Sequence, residues 1–431
     1  MSTSTTVLDQ SGVAPRLFSA GWTDGDGWTP LDRHRSRYPR PPAPGEQPHP
    51  GFIDLVDRAG LTGRGGAGFP TARKMAAVAA GPGPRVVVVN GAEGEPASGK
   101  DRLLLTRLPH LVLDGALWAA FGVAASRVNV CIDRAEQAAL AAVRRALAER
   151  HSELEGITVA VAASPSRYVA GESSALVHWL NGGPAVPRLA SSHQQGVGGR
   201  PTLVQNVETL AHLAQVAVQG PGWFRSVGTV DEPGTCLVTV SGAVVRPSIV
   251  EVAMGTPMAD VLALAGGATA PVQALLVGYF GAWVEGRIGV ASRWSRAALS
   301  PFGADPGAGV VVVLPVGACG LVETARLLHW FAGESAGQCG PCAFGLPSLA
   351  SVTAALARGE ADRDDVARLR RWANEIEGRG ACRHPDGAVR LLRSALAVFV
   401  GDLDRHAAGC PCEGIARPPS LTVPRPNQGW W

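Results

Sequence analysis

Lysine is almost absent from this chain. Of 39 basic residues only Lys74 and Lys100 are lysines, and every other cation is an arginine. Net charge is also scarce, at +3, which gives no electrostatic case for nucleic acid or an anionic membrane surface. Long apolar runs are missing too. The longest, Ala274–Val284 and Val310–Val322, fall well short of the roughly 20 residues that cross a bilayer. The first residues, MSTSTTVLDQSG, have neither a basic n-region nor an apolar h-region, so no secretory signal is read. A cytoplasmic location is expected, with peripheral docking on the inner face of a membrane left open. Eight cysteines in 431 residues are too few for a disulfide framework in a chain this size.

The two lysines both fall within Gly63–Arg102. Lysine is a compact point charge with rotatable donors, whereas arginine is a rigid fork. A site shaped for an ammonium would keep lysine against a strong arginine bias, though chance placement would look the same.

What is present is an alternation of patterns. Residues 1–50 hold many prolines, including Tyr38–Pro50, and read as an extended arm. From 51 to 220 strand and helix patterns alternate. Val86–Val89 is a continuous β-branched run, as expected of a strand buried on both faces. Val128–Ile132 and Ile157–Ala162 are further strands, with helices over Val112–Ala125, Ala135–Arg150, Glu172–Leu180 and Val207–Val218. This predicts a mostly parallel, Rossmann-like α/β sheet, with ligands beyond the carboxyl ends of its strands.

A second unit, 235–318, shows paired strands, a helix N-capped by Thr256 and ended by Gly266–Gly267, then more strands, the order of a β-grasp fold. From 321 to 408 four helices are expected: Leu321–Phe331, Leu346–Ala357, Asp362–Ile376 and Asp386–Leu403. They imply a C-terminal four-helix bundle, followed by an extended tail over 409–431.

Four blocks carry chemistry. The first, Gly63–Lys74 (GRGGAGFPTARK), is a glycine-rich loop opening into a helix at Pro70-Thr71. Glycines let the backbone approach a flat or phosphorylated ligand, and a helix N-terminus offers free N–H groups to an anion. A tight turn would have the same glycines. The second block, Asn90–Pro96, sets Glu93 and Glu95 around Gly94 at a strand end, where paired acceptors suit sugar hydroxyls. A solvated acidic loop would look alike. The third is Tyr168–Ser174, an aromatic beside the turn Gly171-Glu172.

The fourth block is Cys339-x-x-Cys342 with Cys382 forty residues on. Three thiolates from two loops suit iron–sulfur or zinc ligation, and His384 would complete a Cys₃His zinc site by spacing. Cys131, Cys236 and Cys319 sit singly among apolar residues and read as packed small hydrophobes.

In this order the blocks resemble the NADH-binding FMN and iron–sulfur flavoprotein subunit of respiratory complex I and its hydrogenase and formate dehydrogenase relatives. GRGGAGFPT is close to the family's flavin loop. Asn90–Arg102 resembles NADEGEPGTFKDR, Tyr168–Leu176 resembles YICGEETAL, Gly199–Leu210 resembles GKPTVVNNVETL, and Glu334–Cys342 resembles ESCGQCTPC. The middle unit resembles the family's SLBB β-grasp domain. The resemblance implies an FMN-binding α/β domain and an electron-transfer oxidoreductase subunit. Its FMN ligands would be Gly63, Gly65, Lys74, Asn90, Glu93, Tyr168, Gly171, Glu172, Gln205 and Asn206. Phe69 and Glu95 would meet NAD(H), with Glu95 the catalytic position. Cys339, Cys342 and Cys382 would hold a [4Fe–4S] cluster or an incomplete variant. Other electron-transfer subunits or a ferredoxin would be partners.

The departures lie at both ends of that electron path. Ala92, Ser173 and Ala190 stand where the family has aspartate, glutamate and lysine, removing polar contacts around the nucleotide. Ala336 replaces the first cluster cysteine, which leaves His384, Cys410 or Cys412 as candidate fourth ligands. The alternatives are an FMN protein fed by ferredoxin, and a non-catalytic scaffold with a zinc or empty cysteine site. A sister family, the ion-pumping ferredoxin:NAD reductase subunit, shares Asn90-Gly91-Ala92-Glu93 and Val204-Gln205-Asn206, but it carries two denser CxxCxxCxxxCP runs than this chain has.

Overall fold

The computed structural model describes residues 16–18, 28–43, 51–189, 192–424 and 429–431. The N-terminal dodecapeptide, much of the proline run and Ala190 lie outside the described residues.

Four parallel strands form the first sheet: β1 (Arg85–Gly91), β2 (Ala125–Asp133), β3 (Thr158–Ser164) and β4 (Thr202–Asn206), in the order β3-β2-β1-β4. β1 is central, which is why its valines run unbroken. Val87 and Val89 pack with Leu111, Leu210 and Leu213 on one side, while Val86 and Val88 pack with Leu176 and Val177 on the other. The chain leaves β1 towards β2 and β3, then crosses back to place β4 on β1's other edge. The crevice between the carboxyl ends of β1 and β4 is therefore a topological switch point, with Asn90 beside Asn206 across it.

The second sheet is mixed: β5 (Thr235–Gly242), β6 (Ser248–Ala253), β7 (Val272–Val277), β8 (Ala282–Glu285) and β9 (Val310–Pro315), ordered β6-β5-β9-β7-β8. β5 and β9 run parallel and the other neighbours antiparallel. Val311 and Val313 face the helix Met258–Leu264, while Val310, Val312 and Leu314 face the C-terminal helices. Both faces are covered, so β9 too is a continuous apolar run. Thr256 does not cap the helix. Its hydroxyl donates back to Ala253 O at 2.7 Å, and Pro257 takes the N-cap position.

The C-terminal unit is helical: Gly320–Gly333, Leu346–Ala357, Arg363–Ile376, His384–Val398 and Val400–His406. The first packs on the second and fourth, and the third on the second and fourth. The expected helix Asp386–Leu403 is interrupted at Phe399, whose ring sits edge-on to Trp283 at 5.1 Å and fills the space beside Gly320. No proline or glycine at the break announces it.

The proline-rich arm is not merely extended. Leu17, Phe18, Trp28 and Tyr38 are buried in the first domain's core, and Leu31–Arg35 is a short helix. His34 and Arg35 each meet Asp114 at 2.7 Å. Among the described residues, no helix is long and apolar enough to cross a membrane.

Candidate functional site

A cleft of about 1460 Å³ opens at the switch point. Its walls are the Gly63–Lys74 loop with the ends of β1 and β4, the turn between β7 and β8, and the helix His384–Val398. That volume exceeds the roughly 300–1,000 Å³ of an ordinary small-molecule pocket, so it has room for more than one ligand.

The glycine-rich loop is closed at its base. Gly63 N–H donates to Phe69 O and Thr71 N–H to Leu61 O, both at 2.9 Å. Between these ties the backbone turns through Gly66 at φ 117° and Gly68 at φ 61°, values that β-carbons disfavour. A Cβ at Gly66 would meet no protein atom within 4 Å, so that position faces open space. Arg64 anchors the loop from behind, with Nη1 on Thr62 Oγ1 at 2.8 Å and Nη2 on Pro233 O at 3.2 Å. Sequence reasoning missed that anchor. The helix Thr71–Ala79 follows Pro70 as expected. Lys74 donates to Val204 O at 3.0 Å, and burial pushes its ammonium pKa down. One of its three N–H bonds is thus used, and the others remain available to the cleft.

At the β1 end, Asn90 Nδ2 donates to Gly171 O at 2.8 Å and ties two site loops together. A Cβ at Gly171 would lie 2.6 Å from Ala92 O, and one at Gly94 2.8 Å from Tyr168 O, so both glycines permit that close approach. Several expected ligands have other work. Glu93 accepts the N–H groups of Asp101 and Arg102, each at 3.2 Å, capping the helix Lys100–Arg107. Glu172 caps Ser173–Leu180 through Ser174 N–H at 2.8 Å and Ala175 N–H at 3.1 Å. Asn206 caps Val207–Arg225 through Glu208 N–H at 3.0 Å. Tyr168 packs in an aromatic group with Phe280, Trp330, Phe331 and His384. Tyr168 and the three capping residues still line the cleft.

Two buried polar groups in the cleft differ from these. Gln205 is 3% exposed and its Nε2 has no partner. An unsatisfied buried amide in a native fold calls for a ligand or water. Glu95 is buried, and its carboxylate accepts Tyr279 N–H at 3.1 Å and Phe280 N–H at 3.2 Å. Burial outweighs those bonds and pushes its pKa up to about 7. Phe69 stands at the mouth, 46% exposed, with the Arg73 guanidinium 5.5 Å from its ring.

Lys100 is the second lysine and it is fully enclosed. Its ammonium reaches Asp101 at 2.7 Å, Glu208 at 3.1 Å and Asn206 Oδ1 at 3.3 Å, one acceptor for each N–H. Burial opposes its charge, but the two carboxylates hold its pKa above the ordinary value.

Cys339 and Cys342 are close neighbours, Cys382 lies near both, and Cys382 also lines the cleft. Among the described residues they do not form a set of donors within 4.8 Å of one another. A zinc ion with bonds of about 2.3 Å would need such a tight set, so the wider spacing suits a cluster better. The candidate fourth ligands are placed differently from one another. His384 donates from Nε2 to Phe331 O at 2.8 Å, leaving a buried, unpartnered Nδ1. Cys410 is exposed, and Cys412 is buried beside Cys319 and His406. That last set was not anticipated, since Cys319 read as a packed hydrophobe.

Three families match this chain in succession: the Nuo51 FMN-binding domain over residues 56–215, the SLBB domain over 237–276, and the NADH-ubiquinone oxidoreductase-F iron–sulfur binding region over 323–406. NADH-quinone oxidoreductase-F 2 of Rhizobium meliloti (strain 1021) is 32% identical over 373 residues, covering 82% of this chain and 88% of that one. The chain belongs to the NADH-quinone oxidoreductase-F family. The Aquifex aeolicus (strain VF5) member is 30% identical, over 82% of this chain and 85% of its own. Among solved structures, NAD⁺-reducing [NiFe]-hydrogenase in the H₂-reduced state superposes with a TM-score of 0.77 at 32% identity, over 82% of this chain. Its air-oxidized state gives 0.78 at 31%, over 88%. This chain spans only 62% and 65% of those hydrogenase chains.

Members of this family are electron-transfer oxidoreductase components that carry FMN and iron–sulfur. The cleft fits a flavin: it has the open Gly66 backbone, spare Lys74 donors and the orphaned Gln205 amide. The three thiols beside it fit iron–sulfur ligation.

Proposed function

We propose that this protein binds FMN in the switch-point cleft and passes electrons between a nicotinamide nucleotide and an iron–sulfur cluster at Cys339, Cys342 and Cys382. The observation that carries the reading is the continuity of one cleft lining, from the Gly63–Lys74 loop through Glu95 to Cys382. Bound FMN would supply the exchange between two-electron hydride chemistry and one-electron transfer.

Gly63, Gly65, Lys74 and Gln205 make direct contacts with the flavin in this reading. Asn90, Gly171, Glu93, Glu172 and Asn206 act through the backbone, because their bonds and close contacts hold the loops and helix N-termini that face the ligand. Tyr168 forms the wall between the flavin and the cluster. Phe69 offers its exposed ring to a base of the nucleotide, and Glu95 meets the nucleotide's polar groups. Residues 51–220, 235–318 and 321–408 serve as flavin, SLBB and cluster domains, the last a four-helix bundle with one added short helix. Other electron-transfer subunits or a ferredoxin are the expected partners.

One feature favours a second reading of the donor. Ala92 and Ser173 both line the cleft, and neither offers the carboxylate that the resemblance leads one to expect. A ferredoxin could then replace NADH. Anaerobic titration with NADH separates the two. Bleaching of the flavin absorbance at stoichiometric NADH supports nucleotide use. A flavin that stays oxidised in excess NADH, but bleaches with reduced ferredoxin, leaves the second reading.

A further inference from the structure

We propose that Cys319, His406 and Cys412 form a second metal site, separate from the cluster cysteines, and that it takes zinc. The donor atoms of the three residues lie within 4.8 Å of one another and all three side chains are buried. Among the described residues it is the one set of three or more such donors.

The imidazole is already in the ligating tautomer. His406 Nδ1 lies 3.1 Å from Leu356 O, and a carbonyl can only accept, so the proton is on Nδ1 and Nε2 carries a lone pair. A backbone carbonyl orienting the far nitrogen is the usual outer contact of a metal-bound histidine. Nε2 faces Cys319 Sγ at 3.8 Å. It accepts Cys412 N–H at 3.0 Å, and a metal ion would take that lone pair over. Cys319 is the N-cap of the helix Gly320–Gly333. At that position the free N–H groups of the helix's first turn favour the thiolate that a cation would stabilise.

Charge selects the ion. Two thiolates and one neutral imidazole balance a divalent cation, so the buried complex is neutral. A monovalent soft ion would leave a buried net charge. Thiolate and imidazole together suit zinc. Binding displaces one proton from each thiol, releasing two protons per ion, with no change of oxidation state. The ion would pin the C-terminal tail to the start of a core helix. Beyond Cys412 the tail runs along that helix, with Ser420 N–H on Glu323 at 2.5 Å, and then passes Tyr279, whose hydroxyl donates to Thr422 O at 2.9 Å.

The test uses the full chain, grown with iron and zinc and purified anaerobically under reducing conditions. Roughly one zinc per chain is expected, and X-ray absorption at the zinc edge should show two sulfurs near ~2.3 Å and a nitrogen near ~2.0 Å. Cys319→Ser and Cys412→Ser should each lower bound zinc by about tenfold or more while iron and FMN stay at wild-type content. Cys339→Ser should do the reverse, losing iron and keeping zinc. Because a serine variant could misfold, cobalt(II) loading of the wild type gives an independent reading through thiolate-to-metal charge-transfer bands. Absence of zinc and of those bands, zinc retained in Cys412→Ser, copper in place of zinc, or a Cys319–Cys412 disulfide in the purified protein each overturns the proposal.

Discussion

The Glu95 carboxylate, on the loop after β1, accepts the Tyr279 N–H from the turn between β7 and β8 at 3.1 Å. The bond joins the two sheets at the floor of the cleft, and the same carboxylate takes the Phe280 N–H at 3.2 Å. A buried carboxyl with a pKa of about 7, against an ordinary 4.5, binds a proton more tightly in the folded state than in the unfolded one. Between those two values the unfolded chain has released a proton that the folded chain still holds. The stability this gives is complete below the lower value and is lost as pH rises through the upper one, by about 3 kcal/mol in all. Glu95→Gln cannot titrate. The wild type should therefore lose stability relative to the variant between about pH 5 and about pH 8. Denaturant midpoints of both proteins at the two pH values check this, and a constant difference would contradict it.

Lys100 is buried in the cleft wall, with three acceptors for its three N–H bonds. An arginine fork cannot reproduce that tripod. Lys100→Arg should destabilise the protein despite keeping the charge, and Lys100→Met should cost about 3–5 kcal/mol by stranding Asp101 and Glu208. Urea unfolding of the two variants measures both effects. An arginine variant as stable as wild type would mean that the pocket is not shaped for an ammonium.

Much of the architecture was legible because buried strands announce themselves. β1 and β9 are runs of valine, covered on both faces in the structure. β4 was harder to see. It has five residues and ends in Gln205 and Asn206, polar groups that belong to the site. β8 was hidden inside one apolar run because the turn at Gly278 and Gly281 divides Ala274–Val284 into two strands. The glycine loop and the strand-end acids could be found from residue type and spacing. Their division of labour could not. Helix capping and ligand binding draw on the same side chains, so only the structure shows Glu93, Glu172 and Asn206 occupied as caps while Gln205 is left free. Cys319 was illegible for a different reason, since its partner His406 lies 87 residues away.

The N-terminal arm is held at Glu251, whose carboxylate accepts Leu17 N–H at 2.9 Å, Phe18 N–H at 3.1 Å and the Thr235 hydroxyl at 2.6 Å. Glu251→Ala removes all three acceptor contacts from buried donors. At about 1 kcal/mol or more for each donor left unsatisfied, the loss is roughly 3 kcal/mol if the arm stays in place. Release of the arm avoids that penalty. Limited proteolysis should therefore cut the variant near residue 16 faster than wild type while the sheets remain intact. Equal cleavage rates would show that the arm's other contacts, among them His34 and Arg35 on Asp114, hold it without Glu251.

The three cysteines proposed to hold the cluster give the last prediction. Cys339, Cys342 and Cys382 supply three thiols, and Ala336 stands three residues before Cys339, where no thiol is available. A [4Fe–4S] cluster is normally held by four thiolates, so a cluster with three has one iron without a protein thiolate. Such an iron is the one most readily lost on exposure to air. The Ala336→Cys variant should raise iron and sulfide content towards about four of each per chain after aerobic purification, while the wild type holds less. Ala336 is half-buried on the same loop as Cys339, so the substitution adds a sulfur without filling packed core. Iron and sulfide analysis of both proteins, purified side by side with and without oxygen, decides the matter. Equal content under aerobic conditions would mean that another group completes the wild-type site. The unpartnered Nδ1 of His384 is the group to replace next, by His384→Ala in both backgrounds.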